Sequence, residues 1–124
     1  MKNIIRIALL TAATALALAG TGCSSSEPAP PSTFVLLDGS KSTTADLKGK
    51  VTLVNFWATT CVSCVKEMPQ LAATYDKFKS RGFETVAVAM SYDPPSYVVS
   101  FAQSRQLPFM VAIDNTGEVA RAWG

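Results

Sequence analysis

The sequence contains no histidine and only three cysteines. A structural zinc site needs four nitrogen or sulfur ligands, and one of the three cysteines, Cys23, falls in a leader-like N-terminal stretch, so zinc fails on inventory. Net charge is small, with 11 Lys+Arg against 9 Asp+Glu. That balance offers no basic face of the kind nucleic acid requires. The longest apolar run, Ile7 to Ala19 broken by Thr11 and Thr14, is too short to span a bilayer comfortably as a permanent helix. No internal repeat is visible, and 124 residues support one domain at most.

What is present begins with an export-type leader. Lys2 and Arg6 make a positive start, the apolar run follows, and small residues lead to Cys23. A buried core helix is the plainer alternative, but the run's place at the chain start with basic flanks favours export. Two ends of the leader remain open. Gly20-Thr21-Gly22-Cys23 before Ser24-Ser25-Ser26 resembles a bacterial lipoprotein site, with Cys23 acylated as the first mature residue and Gly20 where a leucine-like residue is usual. Cleavage after Ala17-Leu18-Ala19 would instead leave Cys23 as a free thiol. The expected location is the bacterial cell envelope, as a membrane-anchored lipoprotein or a soluble periplasmic protein. Without Lys2 and Arg6, the Lys+Arg count falls from 11 to 9 and equals Asp+Glu. The expected organisation is a leader over 1–22, a Ser/Pro-rich tether over 23–33 and one domain over 34–124.

Within that domain Phe34 to Leu37 reads as a short strand, ended by an Asp38-Gly39 turn. After the Lys48-Gly49-Lys50 turn, Val51 to Trp57 is β-branched, aromatic and nearly continuously apolar, the pattern of a strand covered on both faces. Cys64, Met68, Leu71, Tyr75 and Phe78 then recur at spacings of four and three, one apolar stripe of a helix. Lys77, Lys79 and Arg81 suit its C-terminal end, and Gly82 suits its cap. Glu84 to Met90 reads as a second buried strand. Pro94-Pro95 opens a helix with Val98, Phe101 and Ala102 inward, which ends before Pro108. Phe109 to Ile113 is a third strand, Asp114 to Gly117 a turn, and Glu118 to Trp123 a helical start. Buried strands alternating with helices predict an α/β fold with parallel pairing.

Cys61-Val62-Ser63-Cys64 falls between the first buried strand and the striped helix. Two intervening residues place the sulfurs one helical turn apart, able to close a disulfide or to attack and resolve in sequence. Unpaired N–H groups and the helix dipole there favour a thiolate at the first cysteine, and the thiolate is the nucleophile of disulfide exchange. A passive staple is the bland alternative. The loop it would close is tiny and gains little from loop entropy, so redox chemistry is the stronger reading.

The block from Phe56 to Pro69, with its Phe-Trp-Ala lead, C-x-x-C and Lys66-Glu67-Met68-Pro69 tail, resembles the TlpA/ResA-type thioredoxin-like reductases. Leu107-Pro108-Phe109 and the segment at 117–122 are similar to the same family. The resemblance implies a thioredoxin-like, three-layer α/β/α fold and a thiol–disulfide oxidoreductase acting on protein disulfides, with cytochrome c maturation among its settings. It implies a membrane electron donor of thiol type and no bound cofactor. Cys61 would attack and Cys64 resolve, as a redox-active disulfide pair. Glu67 would relay protons near the thiols, and Pro69 would kink the helix. Trp57 would shield the site, with a plain core aromatic as its alternative.

Two departures qualify this. Thr60 stands where the family usually has tryptophan, and Asn55 stands where cytoplasmic thioredoxins carry a buried aspartate, which places more weight on Glu67. The family also continues past the point matching Gly124 with a cis-proline loop, two strands and a helix, so the fold is expected to lack that C-terminal unit. Without it the strand Val51–Trp57 would keep an open edge, and the chain would be marginally stable or a non-functional remnant. A peroxiredoxin-like peroxidase would need threonine at the position of Ala58, and a copper chaperone would need histidine.

Overall fold

The computed structural model describes residues 27–124; the leader and Cys23 lie outside the described residues. Among the described residues, five strands and three α-helices follow in the order expected of an α/β chain, with two short 3-10 turns. Strand β1 (Thr33–Val35) and β2 (Lys41–Thr43) form an antiparallel hairpin. Strand β3 (Val51–Trp57) leads into helix α1 (Val62–Phe78), then β4 (Phe83–Ala89), α2 (Pro95–Ser104), β5 (Met110–Ile113) and α3 (Glu118–Trp123). The main sheet has the order β3-β4-β5, all parallel, with Val51 opposite Phe83 and Trp57 opposite Ala89. Because the strands are parallel, the loops after Trp57, Ala89 and Ile113 all gather at one end of the sheet, where open α/β sheets place their sites.

The two faces of the sheet are covered differently. On one, α1 and α2 bury Trp57, Met68, Ala87, Ala89, Val98 and Phe109 in a single cluster. On the other, Phe34 of the hairpin and Leu47 pack on Val86, Val88 and Ala112, with Trp123 of α3 against them. Trp123 also donates from Nε1 to Ser32 Oγ at 2.9 Å, and Ser32 and Thr44 hydrogen-bond through both backbone and side chain. The expected tether is therefore tied to the domain from about Pro30 onward, and Thr33 already pairs in β1.

Several boundaries moved by a residue or two, and two elements were not anticipated. Strand β2 and the 3-10 turn Thr44–Leu47 carry too few apolar residues to show a period. The turn is instead held by a capping box, in which Asp46 Oδ2 accepts from Thr43 N and Oγ1. Helix α1 ends through a 3-10 turn at Gly82, whose φ of +82° is a left-handed conformation that glycine adopts without strain.

The expectation that Val51–Trp57 is covered on both faces needs correction. Val51 is 73% exposed and Leu53 lies at the margin of exposure, whereas all five residues from Thr85 to Ala89 in β4 are buried. The physical reason is position: β4 has a strand on each side, and β3 is an edge strand among the described residues.

Candidate active site

Four residues carry the chain from the end of β3 to the start of α1. The N–H of Met90 donates to Trp57 O at 2.9 Å, tying the exit of β3 to the exit of β4. The N–H of Cys61 donates to Ala58 O at 3.0 Å, which closes a tight turn over Ala58–Cys61. Cys61 then serves as the N-cap of α1 with extended backbone, φ −83° and ψ 100°, and its Sγ accepts the N–H of Cys64 at 3.3 Å. That contact is the one a serine or aspartate oxygen usually makes at a helix start. Here a sulfur occupies it.

Cys61 and Cys64 are joined in a disulfide with Cα atoms 5.2 Å apart. Both are half-buried, so the bond is within reach of another thiol. Cys64 leans on the cluster of Trp57 and Met68, while Val62, between the cysteines, is exposed. Ser63 Oγ lies 3.5 Å from Cys61 Sγ. On reduction, a thiolate at Cys61 sits at the positive end of a 17-residue helix with a backbone N–H aimed at it. Those two features favour the anion.

The remaining expected residues spread around this pair. Thr60 is exposed within the turn, directly before Cys61. Pro69 is exposed inside α1, where it has no N–H to give the Val65 carbonyl. Glu67 is exposed one turn beyond Cys64, and no hydrogen bond ties it to either sulfur among the described residues. Trp57 is 1% exposed, with its ring centroid 5.1 Å from that of Phe101. It is buried in the same core cluster against which Cys64 packs. Asn55 is half-buried in β3.

Sequence reading passed over Thr59 and Asp93. Asp93 comes from the loop after β4, and both its carboxylate oxygens accept from Thr59. An aspartate before Pro94-Pro95 reads as part of a turn or helix start, and nothing local shows that it faces a residue 34 positions away.

A parallel sheet with helices packed on it and a C-x-x-C disulfide at the mouth of the first long helix define a thioredoxin-like protein. The relationship is specific: the family model described as Redoxin matches residues 24–124, and the chain belongs to that family. ResA, a thiol-disulfide oxidoreductase from Bacillus thuringiensis subsp. konkukian, is 39% identical over 88 residues, which are 71% of this chain and 50% of that protein. ResA of Bacillus subtilis is 39% identical over 100 residues, covering 79% of this chain and 55% of its own. Among solved structures, a thiol:disulfide interchange protein of the thioredoxin family from Chlorobium tepidum superposes with a TM-score of 0.71 at 32% identity. That match covers 80% of this chain and 68% of the other. The chain spans about half the length of the curated relatives it matches.

Proposed function

We propose that this chain exchanges thiols and disulfides outside the cytoplasm, and that its working direction is the reduction of exposed protein disulfides. One observation carries the reading: Cys61 and Cys64 form a half-exposed disulfide at the N-terminus of α1, with Cys61 Sγ in the N-cap position. In the reduced form Cys61 attacks a client disulfide and displaces one client sulfur as a thiolate. Cys64 then attacks Cys61 in the mixed disulfide, releases the second client sulfur and closes the Cys61–Cys64 bond. The client gains two electrons, and a thiol-type membrane donor restores the dithiol. Apocytochrome c cysteines are one client class.

The leader supports the location: a basic start, an apolar run and either a lipid attachment at Cys23 or cleavage after Ala19. No helix among the described residues is long and apolar enough to cross a membrane. Glu67 is an accessible carboxylate one turn from Cys64 and serves as the proton relay.

A redox titration of the full chain, read by thiol alkylation and gel shift, tests the proposal. A reversible couple near thioredoxin's, about −270 mV, supports a reductase, and one near −120 mV makes the chain an oxidant instead. Thiols that behave as in an unfolded peptide defeat the reading.

A further inference from the structure

We propose that Asp93 is a positioning residue for the Cys61–Cys64 couple: its buried carboxylate pins Thr59 and so holds the turn that presents Cys61 to Cys64. The inference rests on the thiol–disulfide reading above and deepens it. Asp93 is only 3% exposed. Its Oδ2 accepts the Thr59 N–H and its Oδ1 accepts the Thr59 hydroxyl, each at 2.6 Å. Thr59 is the second residue of the turn closed by the Cys61 N–H on Ala58 O. Both bonds are short, and burial shields them from water.

Pro94 holds the N-cap position of helix α2 and has no side-chain acceptor, so no side chain caps that helix, and Asp93 stands one residue before it. The carboxylate is instead turned to the cysteine loop. Its own backbone is fixed as well, since the Asp93 N–H donates to Met90 O at 3.0 Å and Met90 donates to Trp57 O. The clamp therefore stands on the ends of two paired strands, and it reaches one residue short of Thr60 and two short of Cys61.

The consequence is for the redox equilibrium. Reduction of the Cys61–Cys64 bond by dithiothreitol breaks one S–S bond, places two electrons and two protons on the sulfurs, and leaves the reagent as its cyclic disulfide. The reverse step depends on how often the two sulfurs meet. Cys64 is held by α1 and Cys61 by the turn, so freeing the turn lowers their effective concentration and disfavours the disulfide.

The experiment is a dithiothreitol equilibrium on the full chain and on three variants: Asp93→Ala, Asp93→Asn and Thr59→Val. Asp93→Ala is expected to move the equilibrium toward the dithiol about tenfold, a potential about 30 mV more oxidising. Asp93→Asn is expected to stay within about twofold of the parent. Its amide oxygen accepts the Thr59 N–H and its NH2 donates to the Thr59 hydroxyl oxygen. Thr59→Val keeps only the backbone bond and falls between. A purely structural role would lower the unfolding midpoint and leave the potential in place. An unchanged potential in Asp93→Ala overturns the proposal, as does an Asp93→Asn shift as large as that of Asp93→Ala, which would assign the effect to charge. If Asp93→Ala fails to fold, an unchanged Thr59→Val overturns it equally. A parent chain without a reversible couple overturns the thiol–disulfide reading itself, an outcome distinct from a reversible couple indifferent to Asp93.

Discussion

Cys61 and Cys64 differ in what surrounds them, and the proposed order of action rests on that difference. Cys61 caps α1 with its sulfur, and Cys64 sits one turn inside against Trp57 and Met68. Cys64→Ser should therefore leave an attacking thiol that accumulates as a mixed disulfide with client, visible on a non-reducing gel. Cys61→Ser should lower exchange by several orders of magnitude with no trapped species. Glu67→Gln removes a negative charge from the neighbourhood of the thiols and should lower the pH at which Cys61 is alkylated by iodoacetamide. The shift should be less than about one pH unit, because an exposed carboxylate acts through water. Thr85 poses the opposite case. It is fully buried in β4, and its Oγ1 has no partner among the described residues. Thr85→Val should raise stability by about 1 kcal/mol in urea titration, since an unpaired buried hydroxyl costs that much.

Helix α1 combines a good start with a defect. The Cys61 cap and the Val65 N–H bond to Cys61 O at 3.0 Å begin it, and Pro69 then withholds a donor from Val65 O. Pro69→Ala restores that bond and should stabilise the fold by about 1–3 kcal/mol in urea unfolding. The stripe of Cys64, Met68, Leu71, Tyr75 and Phe78 was legible because helical period survives any tertiary arrangement, and all five face inward to some degree. The 3-10 turn Thr44–Leu47 was not legible, because its order comes from four polar atoms of Thr43 and Asp46 rather than from a period. Those bonds, from the Thr43 side chain first and its backbone second, hold the Asp46 carboxyl below its usual value. A group with a depressed folded pKa contributes above the unfolded value and loses its contribution as pH falls through the folded one. Asp46→Asn should therefore matter at neutral pH and cease to matter in strong acid.

At the scale of the whole molecule the sheet is asymmetric. Strand β5 receives an extra antiparallel bridge from Leu36 to Ala112, while β3 presents Val51 and Leu53 along an edge unpaired among the described residues. An apolar open edge is a template for pairing with another chain. Val51→Lys places a charge there and should reduce concentration-dependent light scattering without lowering the unfolding midpoint. The apolar run of Val51–Trp57 suggested a strand covered on both faces, because composition reports how apolar a strand is and not which neighbours it has.

The amino-acid sequence by itself determined the alternation of strands and helices, the apolar face of α1 and the spacing that lets Cys61 reach Cys64. Each of these is a property of residues within a turn or two of one another, and local geometry acts on them directly. Tertiary structure alone decided that Trp57 is buried beside Cys64, that β3 has an open edge among the described residues, and that Asp93 faces Thr59. Parallel pairing of β3 with β4 brings the exits of two strands together at one end of the sheet. A hydrogen bond between residues 34 positions apart exists only once that pairing has formed.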